Sequence, residues 1–435
     1  SPVHQTGLLA ELVCSNSLRS DKLDNAVGLL KAEMRVLGSL VLRVADATRV
    51  PAGAALAVDR ARFAEAMTEA VTSHPRISLI REEVPRIPPP SPDGSPVVLA
   101  TGPLTSPSLA GDLARLVGQD ALAFFDAISP IVLARTIDQT KVFRASRWRR
   151  SLRPGSSGAP AGRSPEHTAD QVALDEGDYL NCPLDPGEYA RFYDALAHAE
   201  SAAVHDFDRT VFFEGCLPIE VMASRGPDTL RFGPMKPVGL VDPRTGRQPY
   251  AVVQLRQDNL AGDHFSLVGF QTQLRQAEQE RVLRLIPGLG GAEFVRFGMV
   301  HRNTYINAPA VLTDTWQVRH RPDLFIAGQV SGVEGYVESA ASGLLAGLHA
   351  VEVASGRTPP APPRTTAIGA LAYYVSHADA ATYQPTKATF GIIAPLVSMS
   401  PRLRRDRLGR KMAMAERALK HLAAWQDGIG WTSTA

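Results

Sequence analysis

Three cysteines in 435 residues, Cys14, Cys182 and Cys216, are too few and too scattered for a disulfide framework. None has the close Cys/His neighbours of a zinc site. No apolar run reaches the roughly 18–20 residues that a membrane span needs. Aromatics are sparse, at 6%, and the net charge is only +2, so the chain as a whole is no polycation. The opening SPVHQTG resembles no signal or transit peptide. No internal repeat is present. Also missing is G-x-G-x-x-G after a first strand with an acidic residue about 20 residues on, the fingerprint of a dinucleotide fold. These absences point to a metal-free protein of the reducing cytoplasm, with two or three domains and thiols left for chemistry.

What is present has an α/β texture. NAVGLLKAEMRVLGSLVLRVAD (25–46) spaces its apolar residues three and four apart and predicts one amphipathic helix. VDRARFAEAMTEAVTSHP (58–75) predicts a second, closed by Pro75. RISLIREEV and SPVVLATGPLTS read as strands, the latter a buried parallel strand emptying into a loop at Thr101-Gly102. SLRPGSSGAPAGRSPEHTAD, from 151, reads as a flexible surface loop. Residues 178–309 mix helices with shorter strands in a second body, including a hairpin around Thr245-Gly246. At 322–353 the first texture returns, with a strand at Leu324–Ala327, a Gly-rich turn and a helix full of Ala, Gly and Ser. The simplest division is one α/β domain built from 1–135 and 311–360, interrupted by an α+β insertion of 136–310. A helical segment, 361–435, follows, with a basic-to-amphipathic helix at 403–425.

Several motifs could carry chemistry. A strand followed by Gly328, Gly332 and Gly335 and a helix start is either a tight turn or the edge that receives a phosphate or flavin. Cys14 in ELVCSNS and Cys216 in FFEGCLPIE sit in similar polar settings, as reactive thiols or as small buried hydrophobes. Cys182, in YLNCPL, reads as buried. RFGMVHRNTYINAP packs His301, Arg302, Asn303, Tyr305 and Asn307 together, which suits a flat polar heterocycle or a self-satisfied polar turn. Lys236 stands between two prolines in a rigid loop. RASRWRRSLR (144–153) and SPRLRRDRLGRK (400–411) are basic clusters that either touch RNA phosphates or form solvated faces.

Taken in order, AELVCSNSLRSD, ADATRVPAGAALAVDR, LATGPLTS, DYLNCP, FFEGCLPIE, FGPMKPVGLVDPRTG, HRNTYINAP and AGQVSGVEGYVESAASGLLAG resemble the folate- and FAD-dependent tRNA (uracil-5-)-methyltransferases. These are relatives of the GidA-type proteins. The resemblance covers nearly the whole chain. It implies a Rossmann-like FAD-binding domain interrupted by the insertion, and methyl transfer to C5 of a uridine in the tRNA T-loop. The carbon would come from 5,10-methylenetetrahydrofolate, with FAD and NAD(P)H as redox cofactors. It further implies that Cys216 attacks the uracil, that Cys14 partners it at the flavin and that Glu214 helps move a proton. Gly328, Gln329, Gly335, Tyr336, Glu338 and Ser339 would line the flavin, with Gly102 more remote. His301 would stack on the folate pterin beside Arg302 and Asn303. Arg402, Arg404, Arg405, Arg407 and Arg410 would contact the RNA, and the protein would act as a monomer.

The chain departs from that pattern at its start. Roughly 35–40 residues, the first strand and glycine-rich turn of the fold, are absent ahead of Ser1. A fragment that binds FAD poorly is the expectation. The same chemistry on a ribosomal RNA, a small-molecule flavoprotein oxidoreductase, and an inactive RNA- or folate-binding remnant are the competing readings.

Overall fold

The computed structural model describes residues 4–118, 122–127, 129–149, 177–201 and 217–431, with the main chain alone at 122–127, 149 and 300–303. Two hydrophobic cores organise them. The larger gathers residues from 12–113 and from 305–422; the smaller gathers residues from 132–292.

In the larger core, helices Ala26–Val36, Tyr336–Ala354, Ala367–His377 and Arg407–Gly428 pack beside the strand Arg321–Ile326. Asn25 caps the first helix by accepting from Val27 N–H at 3.4 Å. Leu29, Leu30 and Met34 are fully buried along it, each worth about 1.5–3 kcal/mol of apolar transfer. The single helix expected over 25–46 is broken in two. Gly38, at φ +73°, lets the 38 and 39 amides turn back onto the carbonyls of Arg35 and Met34, the left-handed stop that ends many helices. Ser39 then caps a new helix, Leu40–Ala47. Helix Arg60–Thr72 matches expectation and is capped by Asp59, which accepts from Arg62 N–H at 3.1 Å.

RISLIREEV forms no strand. Its Ile77, Leu79, Ile80 and Val84 are exposed and no neighbouring strand pairs with it; branched apolar residues do not make a strand without a partner. The other expected strand is present as Val97–Leu99, parallel to Leu324–Ile326 with Val97 opposite Leu324. It is an edge of the three-stranded sheet among the described residues, so Val98 is 41% exposed.

The smaller core lies on a six-stranded antiparallel sheet. Its order is Phe294–Arg296, Ile131–Leu133, His264–Leu267, Ala251–Gln257, Tyr179–Leu184, Phe143–Ala145. Thr245-Gly246 does make a tight turn, closed by Asp242 N–H on the Arg247 carbonyl at 2.9 Å, but its arms are not paired strands. Ala251–Gln257 pairs instead with 264–267 and 179–184. The C-terminal helix expected over 403–425 is interrupted at Asp406, which ends Pro401–Arg405 and caps Arg407–Gly428. The 151–173 loop lies outside the described residues. No helix among those described is long and apolar enough to cross a membrane.

Candidate functional site

The parallel pair Val97–Leu99 and Leu324–Ile326 ends in two glycines. Ala327 N–H donates to the Leu99 carbonyl at 2.9 Å, after which Gly328 turns at φ +76° and Gly102 at φ +70°. A Cβ placed on either would find no atom within 4 Å. Both therefore border open space at the carboxyl ends of parallel strands, where α/β sheets hold their ligands. Gly328 N–H is fixed by Ser342 Oγ at 2.8 Å, tying the turn to the helix that follows. Gln329 opens a short helical turn, Gln329–Ser331, and Gly335 at φ +109° leads into Tyr336–Ala354. Gly332 also turns at positive φ, and a Cβ there would lie 2.1 Å from Tyr383 Oη, so only glycine fits.

The strand Val300–Tyr305, which carries His301, Arg302 and Asn303, runs between the two glycine turns. Thr304 N–H donates to the carbonyl of Pro103, next to Gly102, at 3.0 Å, and Ile306 N–H to that of Val330 at 2.9 Å. Its other edge pairs with Leu122–Ala127, His301 opposite Asp126. The main chain thus brings the donor-rich motif to the glycine turns, although 200 residues separate it from Gly102 in sequence.

Cys14 arrives from the opposite end of the chain. Its Sγ lies 3.1 Å from Tyr336 Oη, and its N–H donates to the same oxygen at 2.9 Å. Tyr336 is the first residue of the 19-residue helix after Gly335. Burial and the neighbouring Cys14 thiol hold its phenol well above the ordinary range, so it stays protonated and can donate to a thiolate. Arg60 and Arg256 bond to the residues on either side of Cys14, at the Leu12 carbonyl and at Ser15 Oγ, and cations beside a thiol favour its reactive form.

The loop after Cys14 is locked to the antiparallel body. Arg256 gives Nε to Asn16 Oδ1 and Nη2 to Ser15 Oγ, both at 2.8 Å. Asn16 gives its amide to the carbonyls of Val58 and Gln257, both at 3.0 Å. Arg60 pairs with Asp258 at 2.8 Å and donates to the Leu12 carbonyl. Asn16, Arg60, Arg256, Asp258 and Ser342 were not singled out from sequence. One signal was available: in AVVQLRQD, Gln254, Arg256 and Asp258 alternate, giving a buried strand one polar edge that needs a partner.

The family model described as glucose inhibited division protein A matches residues 3–159 and 163–358. The chain belongs to the GidA family. Within that family it is 55% identical over 425 residues to the methylenetetrahydrofolate–tRNA-(uracil-5-)-methyltransferase of Desulforudis audaxviator, covering 98% of this chain and 90% of the relative. It is 53% identical to the enzyme of that name from Moorella thermoacetica, covering 97% and 89%. The structure of Aquifex aeolicus GidA superposes with a TM-score of 0.61 at 16% identity, over 95% of this chain and 67% of that one. That likeness shows the fold, a Rossmann-like α/β architecture.

The residues present fit the flavin of the GidA family. Two left-handed glycines open onto empty space, and a long helix begins beside them, its first-turn N–H groups facing the same end of the sheet. Gly102, Gly328, Gln329, Gly335, Tyr336 and Ser339 are brought together there. Glu338 is placed otherwise: its carboxylate is buried and bonded to Arg19 and to Ala388 N–H, so it braces the turn from behind. Cys216 and Glu214 lie outside the described residues. Cys182 sits fully buried in its strand, its thiol pushed up to about 12 by burial. Arg402, Arg404, Arg405 and Arg407 are exposed and Arg410 half-buried, on the short helix Pro401–Arg405 and at the start of Arg407–Gly428, where Lys411 anchors on the Asp24 carbonyl at 3.0 Å.

Proposed function

We propose that this protein transfers a one-carbon unit from 5,10-methylenetetrahydrofolate to C5 of a T-loop uridine in tRNA, as a flavin-dependent methyltransferase of the GidA family. One observation supports the reading above the others. Cys14 Sγ is held 3.1 Å from Tyr336 Oη, at the start of the helix behind the glycine turns. A thiol set beside a flavin site has no use in a merely structural turn. FAD, when bound, supplies the reducing equivalents that make the methyl group, and NAD(P)H restores them.

The chain's own residues supply the rest. C5 of uracil is a poor nucleophile until a thiolate adds at C6 and pushes electron density onto C5. Cys216 would take that part: its sulfur bonds C6 and C5 attacks the one-carbon unit carried by the folate nitrogen. Loss of the C5 proton, aided by Glu214, breaks the bond to that nitrogen, and the sulfur leaves C6 when the resulting methylene carbon gains the hydride that a bound reduced flavin would supply. Cys14 acts as the second thiol at the flavin, kept in place by Tyr336 and by the Ser15–Asn16 lock. His301, Arg302 and Asn303 hold the folate pterin on the strand between the glycine turns. Arg402, Arg404, Arg405, Arg407 and Arg410 meet tRNA phosphates. The reading assigns 1–135 and 311–360 to the flavin body, 136–310 to the substrate body and 361–435 to a helical extension. It also takes the protein as a cytoplasmic monomer without a metal.

The test is 5-methyluridine formation, followed by nucleoside mass spectrometry, on an unmodified tRNA transcript with FAD, methylenetetrahydrofolate and NADPH. Cys216→Ala should abolish product while the flavin absorbance band survives desalting. Full activity in that variant would sink the nucleophile assignment. Equal activity on a tRNA with a disrupted T-loop would argue against the T-loop target.

A further inference from the structure

Trp148 differs from the other tryptophans. Trp316 is buried, and Trp425 and Trp431 pack against the larger core. Trp148 is 61% exposed; its main chain sits at φ +57°, ψ +26°, a left-handed conformation it shares with the buried Trp316 at φ +67°. A bulky residue keeps that left-handed conformation only where its surroundings impose it. Here the imposing partner is the rigid loop around Lys236. Trp148 N–H donates to the Gly239 carbonyl at 3.0 Å. The fused edge of the indole rests on Gly239, itself at φ +84°, where a Cβ would fall 2.8 Å from Cε2. Arg147 pins the same loop, through the Val238 carbonyl at 3.0 Å and Gln254 Oε1 at 2.9 Å. The indole is thus seated on a glycine and largely open to solvent.

The chain leading up to it is basic, and Lys236 is an exposed cation on the loop beneath it. From Gln139 to Arg149 the chain has four basic residues and no acidic one. Arg144 and Lys236 are exposed, and so are Val238 and Val241 on either side of Gly239. A protein partner would favour a continuous apolar patch. Cations interleaved with one rigid aromatic favour a polyanion with flat bases.

We propose that Trp148 is a stacking platform for an unpaired base of the tRNA, with Lys236, on the loop that seats the indole, meeting a phosphate next to it. The proposal rests on the methyltransferase reading and concerns a base other than the reacting uridine. Stacking is tolerant of base identity, and a platform already fixed by its main chain has little freedom to lose on binding.

Equilibrium binding of an unmodified tRNA transcript to the full chain, across a series of salt concentrations, tests it. Trp148→Ala should bind about 5- to 100-fold more weakly at every salt concentration. Its salt dependence should stay as in the wild type, and methyl transfer at saturating tRNA should be retained. Trp148→Phe should recover most of the affinity. Lys236→Ala should instead lower the slope of log K against log salt by about one. Melting temperatures of the variants separate a lost contact from a damaged fold. If Trp148→Ala binds tRNA within about twofold of wild type, or if Ala and Phe variants are equally weak and both melt early, the platform is overturned. Wild-type protein that methylates tRNA in that case leaves the methyltransferase reading standing; wild-type protein that does not bind tRNA overturns both.

Discussion

Cys14 and Cys182 occupy opposite kinds of site. Cys182 lies in the middle of Tyr179–Leu184, fully buried between two paired strands. Cys14 is half-buried in a loop, with a phenol at its sulfur and the guanidiniums of Arg60 and Arg256 bonded to the residues on either side of it. Two thiols of one chain are made inert or usable by what faces them, since only the thiolate reacts and only opposite charge or donors stabilise it. Burial drives Cys182 up to about 12, and no donor of that kind stands at its sulfur among the described residues.

The largest effect should appear when both thiols compete for iodoacetamide in the folded protein at mildly alkaline pH. Peptide mapping should find Cys14 modified about a hundredfold faster than Cys182, or more. Equal rates would erase the contrast. A smaller effect tests what holds Cys14 in place. Arg256→Met leaves Asn16 Oδ1 and Ser15 Oγ without their donor and should destabilise the protein by about 1–3 kcal/mol in urea unfolding. The same variant should change the alkylation rate of Cys14 and leave that of Cys182 alone. A change at both would mean the loop is not a separate unit.

The smallest effect concerns a carboxyl that is buried like Cys182 yet bonded. Glu33 accepts from Ala367 and Ile368 N–H at 2.7 and 2.8 Å, but burial still raises it to about 8 from 4.5. The folded state then holds a proton that the unfolded chain releases, so this group's contribution to stability is full below pH 4.5 and is lost as pH rises to about 8. Lys31, on the same helix, runs the other way. Burial lowers it to about 7 from 10.5, so its contribution grows with pH between those values. Glu33→Gln should flatten the fall in stability between pH 5 and 7, a range below the Lys31 window. An unchanged pH profile would show that Glu33 is ionised in the folded protein.

The parts legible from sequence were those whose signal is local. The strand, glycine turn and helix from 321 to 354 announce themselves in one stretch, because an apolar run, left-handed glycines and a small-residue helix are all short-range features. The break at Gly38 was equally local and was overridden by the apolar period running through it. RISLIREEV misled because its apolar residues suit a strand but meet no partner strand among the described residues. The Cys14 site was legible only in part. Cys14 and Tyr336 stand 322 residues apart, and Arg60 and Arg256, which hold the Cys14 loop, come from a third and a fourth segment. Their meeting is a property of how two bodies dock, which no window of sequence contains.

The bonds from Arg256 to Ser15 and Asn16, and from Arg60 to Asp258, make these positions an energetically coupled unit. A lineage that replaces one of them leaves the others with donors or acceptors unanswered, so the effects of successive replacements do not add. The antiparallel body, though it has its own core, should therefore not exchange freely between relatives. Grafted from elsewhere, it would bring a strand edge that does not answer Ser15 and Asn16, and the thiol at position 14 would shift with it.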